Sequence, residues 1–164
     1  MDEFERTPIP EGEVTAEVLW QDGIGVMTER SVKVMNAEKR DKAYIVVETG
    51  NKAGNAVVAM KVNGEIYWSW HIWCTYYNPN LKEGQQELNG FVWMDRNLGA
   101  TYNKYNEEGG IKSKGFLYQW GRKDLFPPTK GWEKTESDED LYNLAGEIIT
   151  FSKVPVEVFN NIPN

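Results

Sequence analysis

The chain has 164 residues, of which 40% are hydrophobic and 13% aromatic, and this size and composition predict one folded domain with its own core. A formal charge of −7 with no segregated basic patch disfavours nucleic acid and anionic membrane surfaces as partners, because both carry negative charge. With one cysteine and one histidine the chain cannot form an internal disulfide or a Cys/His zinc site, and no apolar run approaches the ~18 residues of a membrane-spanning helix, so we expect no cofactor and no transmembrane segment.

The N-terminal residues differ in composition from the rest of the chain. Residues 1–13 are rich in Glu, Asp and Pro and show no apolar period, which predicts a flexible lead. Residues 14–164 are predicted to form a single β-rich domain, with an N-terminal sheet over 14–77 and a loop-rich second half over 88–164. We expect a mainly β fold, of antiparallel sheets packed as a β-sandwich, with minor α structure.

Strand-like segments follow one another from Val14 onward. Residues 14–22, 31–36 and 44–49 are short and rich in β-branched and aromatic residues. The strongest signal is a pair of arms, 54–62 and 65–73, on either side of Asn63-Gly64. Asn-Gly supplies the two positive-φ residues of a type I′ turn, so a hairpin over 55–73 is predicted.

The register of this hairpin follows from a two-residue loop. The expected cross-strand pairs are Val62 with Glu65, Ala59 with Trp68, and Val57 with Trp70. Alternation then places one set of large apolar residues on the core face, namely Ile66, Trp68, Trp70 and Ile72. The opposite face is expected to be partly wet or covered by the second half of the chain.

The second half gives weaker signals. Residues 82–86 are polar and are predicted to form a loop, whereas 91–95 predict a short strand. Residues 116–121 fit a strand or a single helical turn, which periodicity cannot distinguish at this length. The acidic run 133–140 is predicted to be a solvated loop.

His71 and Cys74 are the single histidine and the single cysteine of the chain, and their spacing at i, i+3 suggests a metal ligand pair or an activated nucleophile. On a strand, residues three apart point to opposite faces, and no third ligand lies nearby in sequence. A structural histidine and a passive, half-buried cysteine are therefore the favoured interpretation.

Two charged segments could carry acid–base chemistry. Asp95, Arg96 and Asn97 form one, and Arg122 and Asp124 belong to the other. Catalysis would require the two carboxyl groups to converge on one cleft. Ion-paired turns are favoured, because arginine readily bridges loops and stacks on tryptophan. Calcium binding by Asp95, Asn97 and the acidic loop lacks EF-hand spacing and is disfavoured.

The aromatic residues divide into two predicted groups. Trp68, Trp70 and Trp120 are expected to be structural, since the chain has few other large apolar groups for its core. Residues that border loops are better candidates for ligand contacts, and these are Trp73, Tyr76, Tyr77 and Trp132.

Five motifs in this order resemble a known family. They are VLWQD (18–22), GNAVVA (54–59), WSWHIW (68–73), MDRNLGA (94–100) and YQWGRKD (118–124). Together they resemble a module of fimbrillin-like surface lipoproteins of Bacteroidales, related to the Fibrobacter-type major paralogous domain. The resemblance covers about Val14 to Pro127.

This resemblance implies an exported, cell-surface or fimbria-associated module that is not an enzyme and binds host glycan or protein. It also implies a distant likeness of the second half to C-type-lectin-like folds. Modules of this kind continue into a Cys-Pro motif and follow an export signal, and neither is found in this chain. We therefore expect a shortened copy of the module.

The leading hypothesis is a non-catalytic binding or assembly module of a surface protein. A carbohydrate-active enzyme fragment that uses Asp95 and Asp124 is the first alternative. A purely structural, pilin-like subunit is the second, and it predicts polymerisation without a soluble ligand.

Overall fold

The computed structural model describes residues 9–39, 41–105, 110–118, 120, 125–126 and 140–149. Over these residues the protein is mainly β, with two short 3₁₀ turns at Lys82–Gly84 and Gly110–Ser113. The predicted minor α structure is absent from these ranges. The strands are β1 (Val14–Gln21), β2 (Met27–Met35), β3 (Tyr44–Thr49), β4 (Gly54–Val62), β5 (Glu65–Cys74), β6 (Gln85–Leu88), β7 (Phe91–Met94), β8 (Leu141–Tyr142) and β9 (Ile148–Ile149).

The strands form one larger sheet and two hairpins. The sheet has five strands in the order β5-β4-β1-β8-β9, and β2 with β3 and β6 with β7 form the two-stranded units. Every pair of strands is antiparallel. The prediction of a mainly β fold built from antiparallel sheets is thus confirmed.

The Asn63-Gly64 hairpin forms where the sequence predicts it. Asn63 has φ 52° and Gly64 has φ 84°, as a type I′ turn requires, and Val62 pairs with Glu65. The register shifts after Lys61, which pairs with Ile66, because Tyr67 is an extra residue on β5.

This bulge corrects the predicted pairing. Trp68 lies opposite Met60 rather than Ala59, and Trp70 lies opposite Val58 rather than Val57. The residue alternation of β5 is continuous on either side of Tyr67, so nothing in the sequence pattern reveals the inserted residue.

A second bulge reorganises β1. Val18 pairs with Val58 and Trp20 pairs with Val57, so that Leu19 is the extra residue. Val18 and Trp20 would share a face of a regular strand, but here they belong to different apolar clusters. The sheet consequently buries β4 on both of its faces.

Each face of the sheet has its own apolar cluster. On one face Val18, Val26, Met27, Ala56 and Val58 are buried, and partly buried Val32, Ile45 and Val47 from β2 and β3 pack against them. On the other face Trp20, Val57, Phe116, Leu125 and Leu141 are buried together. The second half of the chain therefore covers the face that the first half leaves open.

The core tryptophan is not one of those predicted. Trp20 is 1% exposed and stacks on Phe116 at 5.7 Å between ring centroids. Trp68 is only partly buried and Trp70 is 36% exposed, because β5 is the outermost strand of the described sheet. Trp120, also predicted to be structural, is fully exposed.

The β6–β7 hairpin replaces part of a predicted loop. Residues 82–86 were expected to be loop, but Gln85 and Gln86 belong to β6 and pair with Met94 and Trp93. The turn is again Asn-Gly, with φ 52° at Asn89 and 78° at Gly90. Three of the four residues of β6 are polar, so a search for alternating apolar residues does not detect this strand.

Candidate functional site

A buried polar network around Asn55 connects three parts of the chain. The side-chain Nδ2 of Asn55 donates to Asp22 Oδ2 at 2.7 Å and to the Gly99 carbonyl at 2.9 Å, while its Oδ1 lies 2.9 Å from His71 Nε2. The backbone N–H of Asn55 donates to Asp22 Oδ1 at 2.7 Å. Asn55 is 1% exposed, so these bonds replace water for a residue that would otherwise be costly to bury.

The network fixes the protonation of His71. The Asn55 amide nitrogen faces two acceptors, Asp22 Oδ2 and the Gly99 carbonyl, so the amide oxygen Oδ1 faces the imidazole. Because Oδ1 can only accept a hydrogen bond, His71 Nε2 carries the proton. Burial lowers the pKa of His71 to about 4, and the ring is neutral at pH 7. Burial also raises the pKa of Asp22, against the opposing effect of the hydrogen bonds from Asn55.

The crevice beside this network is too small for a substrate. It is lined by Asp22, Asn55, Thr101, Lys112 and Phe116, among others, and has room for about one water molecule. His71 packs on the Phe116 ring at 5.6 Å on one face of the sheet, and Cys74 packs against the apolar cluster of the other face. No group of three His, Cys, Asp or Glu side chains in the described residues could hold a metal ion.

The Asp95 and Arg96 side chains form an ion pair. Arg96 Nε lies 2.7 Å from Asp95 Oδ1, and Arg96 Nη2 donates to Oδ2 at 3.2 Å. Asn103 Nδ2 donates to the same Oδ2 at 2.9 Å. The hydrogen bond from Arg96 holds the pKa of Asp95 below its usual range, so this carboxylate stays charged. Asn97 donates from Nδ2 to the Lys114 carbonyl at 2.9 Å and so joins two loops.

Three of the four predicted ligand-contact residues, Trp73, Tyr76 and Tyr77, lie in the described part of the chain. The Arg96 guanidinium lies 4.3 Å from the centroid of the Tyr77 ring, which contacts Trp73 at 5.6 Å. Tyr77 Oη donates to the Gly84 carbonyl at 2.9 Å. Tyr76, by contrast, is almost fully exposed. Trp132, Arg122 and Asp124 lie outside the described residues.

Among the described residues, several exposed apolar side chains lie together on the β6–β7 hairpin, here called the ribbon (Gln85–Met94). Its register places Leu88, Phe91 and Trp93 on one face, and they are 62%, 66% and 58% exposed. Phe91 and Trp93 contact each other edge to face, with 6.5 Å between ring centroids. Val92 and Met94 on the opposite face are also exposed. Contiguous apolar surface of this kind is typical of an interaction site.

Among the described residues, the hydrogen bonds that join the ribbon to the rest of the chain lie at its base. The Gly84 carbonyl accepts hydrogen bonds from the Asp95 backbone N–H at 3.1 Å and from Tyr77 Oη, and Gln85 Nε2 donates to the Pro79 carbonyl at 2.7 Å. A side chain at position 84 would meet the Asn78 carbonyl at 2.7 Å and the Tyr77 ring at 2.8 Å, so the close approach requires glycine. The Tyr77–Arg96–Asp95 group thus positions the ribbon.

Sequence reasoning missed this feature, although a signal was present. Asn89-Gly90 is the same turn dipeptide as Asn63-Gly64, and Phe91 to Met94 is an apolar run directly after it. The polar composition of residues 82–88 led to the interpretation as a loop. Exposure of the aromatic face could not be read from the sequence, because it depends on which elements cover it.

Comparison of the chain with protein-family models, curated proteins and solved structures found no match. Among the described residues, no helix has the length and apolar character needed to cross a membrane. The geometry of the described residues is therefore the main basis for a functional proposal.

Proposed function

We propose that this chain is a non-catalytic binding or assembly module of a cell-surface protein, and that it contacts its partner through the apolar face of the ribbon. The observation that carries the proposal is the exposure of Leu88, Phe91 and Trp93 on one face of the ribbon. The proposed partner is a protein or a glycan with an apolar surface that can cover these rings.

The energetics of the ribbon support a contact role. A two-stranded hairpin is at best marginally stable alone, and this one gains little from the core because its side chains remain in water. Large aromatic side chains contribute most of the binding energy in many interfaces, since they bury much area with few rotatable bonds. Covering Phe91 and Trp93 would release this area from water.

The enzyme alternative is less well supported by the geometry. A glycosidase acid needs a raised pKa, whereas the hydrogen bond from Arg96 lowers the pKa of Asp95. Both oxygens of Asp95 already accept hydrogen bonds from Arg96 or Asn103. Within the described residues, the hydrogen bonds and ion pair of Asp95 involve no second carboxylate. Asp124, the other predicted catalytic residue, lies outside the described residues.

The surface location and the finer fold follow from the sequence resemblance. The five motifs at 18–22, 54–59, 68–73, 94–100 and 118–124 support a cell-surface or fimbria-associated role. The packing of β2 and β3 over one face of the sheet supports a sandwich-like arrangement. The C-type-lectin-like character of the second half rests on the resemblance alone.

The proposal can be tested by binding of the purified protein to a glycan array and to cultured host cells. Trp93→Ser should reduce binding at least tenfold, because it removes the larger ring of the ribbon face. Tyr44→Ser is the matched control, since Tyr44 is a similarly exposed aromatic residue on β3. Equal loss in both variants would contradict a role for the ribbon.

Two further variants separate binding from catalysis. Binding should persist in Asp95→Asn, whose amide oxygen can still accept the hydrogen bond from Arg96 at the base of the ribbon, and in Asp124→Asn, because neither residue belongs to the ribbon itself. Hydrolysis of an arrayed glycan by the unmodified protein, lost in these two variants, would instead establish the enzyme alternative.

A further inference from the structure

Within the described residues, the outer edge of β7 lacks the proline, charge or bulge that often protects an exposed strand. In the described part of the chain β7 pairs only with β6, and its four residues include no proline, charge or bulge. The other edge of the ribbon differs, since β6 contains Glu87 and two glutamines. An uncharged edge strand rich in β-branched and aromatic residues readily accepts another strand of the same character.

We infer that the strand added to β7 is β7 of a second copy of this chain, paired antiparallel about a two-fold axis that passes through Val92. This inference rests on the proposed function and adds a contact between two copies at the β7 edge, beside the apolar face of the ribbon. β7 is an uncharged, apolar strand of four residues, and β7 of a second copy matches it in length and character.

Symmetry limits the register of this pairing. A two-fold axis perpendicular to a sheet keeps each side chain on its own face, so each residue must pair with one an even number of positions away. With Val92 on the axis, Phe91 of each copy lies opposite Trp93 of the other. With Trp93 on the axis, Phe91 would instead oppose Asp95, a charged residue held by Arg96. The Val92 register is therefore favoured, because aromatic pairs across strands are stabilising.

The joined ribbons would form a four-stranded sheet with one continuous apolar face. That face would present Leu88, Phe91 and Trp93 from each copy. The chain has a net charge of −7, but none of its charged residues lies in β7. The pairing of two β7 strands therefore places no like charges directly opposite each other at the axis. The assembly also closes at two copies, since the pairing uses one β7 edge from each.

The strength of the dimer can be bounded from area. The exposed apolar side chains of the ribbon amount to on the order of 500 Å² per copy, judged from typical side-chain areas. Edge pairing covers only part of this, so the interface falls below the ~1,200 Å² of stable complexes. We expect a reversible dimer with a dissociation constant on the order of 10–1,000 μM.

Disulfide trapping tests the register directly. Val92→Cys in a Cys74→Ser background should give a covalent dimer under mild oxidation, because the two position-92 side chains face each other across the axis. Glu87→Cys in the same background is the matched control. Glu87 lies opposite Val92 on β6, one strand further from the axis in each copy, and should not cross-link. Equal cross-linking of both variants, or of neither, would overturn the proposed pairing.

Sedimentation equilibrium of the full chain tests the association itself. The mass of the unmodified protein should rise towards a dimer with concentration, and Val92→Lys should weaken the association at least tenfold by placing two cations at the axis. Gln86→Lys adds the same charge on β6 and should have a smaller effect. Position 92 is exposed, so folding should not be affected in this variant.

The remaining outcomes separate this inference from the proposed function. A strict monomer at all concentrations would overturn the pairing of two copies. If Trp93→Ser still abolished glycan or cell binding in that case, the ribbon would remain a contact surface for a different partner. Growth of species larger than a dimer would also overturn the two-fold pairing and would favour the pilin-like alternative.

Discussion

The hairpins β4–β5 and β6–β7 have the same turn and very different surroundings. Asn63-Gly64 and Asn89-Gly90 adopt nearly identical φ angles, and both connect antiparallel strands. β4 is a buried inner strand of the larger sheet, whereas every residue of β7 is exposed. Local turn chemistry therefore determines that a hairpin forms, and the elements packed on it determine whether the hairpin serves the core or the surface.

This difference divides stability from recognition in the molecule. The β4–β5 hairpin carries Asn55 and His71, whose hydrogen bonds tie the first half of the chain to the loop at Gly99. The β6–β7 ribbon is held by a few bonds at its base and leaves Phe91 and Trp93 uncovered. Substitutions in the first hairpin should reduce stability, and those in the second should change binding.

The largest expected effect is that of Asn55→Ala. The substitution removes the hydrogen bonds to Asp22 Oδ2, the Gly99 carbonyl and His71 Nε2, and leaves a buried carboxylate less well satisfied. The free energy of unfolding should fall by about 3–4 kcal/mol, measured by urea denaturation. Gln86→Ala on the exposed strand β6 is the control, and a comparable loss there would contradict the division between the hairpins.

Acid should destabilise the β4–β5 side through His71. The pKa of His71 is about 4 in the folded protein and about 6.5 in the unfolded chain, so the unfolded state binds the proton first as the pH falls. The unfolding free energy should therefore be unaffected by protonation of His71 above pH 6.5. As the pH falls from 6.5 to about 4, it should decrease by on the order of 2–3 kcal/mol. The raised pKa of Asp22 has the opposite sign at the acidic end of this range.

The variant His71→Gln separates these two groups. Glutamine can still donate to Asn55 Oδ1 but does not titrate, and Asp22 is unchanged in both proteins. The difference in unfolding free energy between the two proteins should vary with pH between 6.5 and 4. A difference that is constant over this range would show that His71 is not buried as a neutral ring.

Removing two methyl groups from valine compares the hairpins more closely. Val58→Ala in the apolar cluster of β4 should lower the unfolding free energy by about 2 kcal/mol, because it leaves a cavity between β1, β5 and the covering strands. Val92→Ala on β7 should change it by less than about 0.5 kcal/mol, since Val92 already lies in water. Thermal unfolding of both variants measures this difference in stability. Equal decreases in the melting temperature of the two variants would contradict the prediction.

The smallest effect sharpens the comparison within the turns themselves. A Cβ at Gly64 or Gly90 meets nothing within 4 Å, so alanine at either position costs only the strain of its positive φ, about 1 kcal/mol. Gly64→Ala should lower global stability by this amount. Gly90→Ala should instead increase amide hydrogen exchange within the ribbon and leave the global transition nearly unchanged. A global shift in both would mean that the ribbon unfolds together with the core.

Much of the fold follows from short-range patterns. The strands over 44–49 and on both sides of Asn63-Gly64 lie where β-branched and aromatic residues and the turn dipeptide predict them. The separation of His71 and Cys74 onto opposite faces follows from the two-residue period of a strand. These features depend only on residues that are close together in the sequence, so a single sequence is enough to predict them.

The sequence by itself determined the strands over 44–49 and on both sides of Asn63-Gly64, together with the turn between those two arms. Only the tertiary structure decided which tryptophan is buried, because bulges at Leu19 and Tyr67 change which side chains share a face. It also brought Asp22, Asn55 and His71 together and left Phe91 and Trp93 uncovered. Contacts between residues distant in sequence depend on how sheets pack, and local periodicity carries no record of that packing.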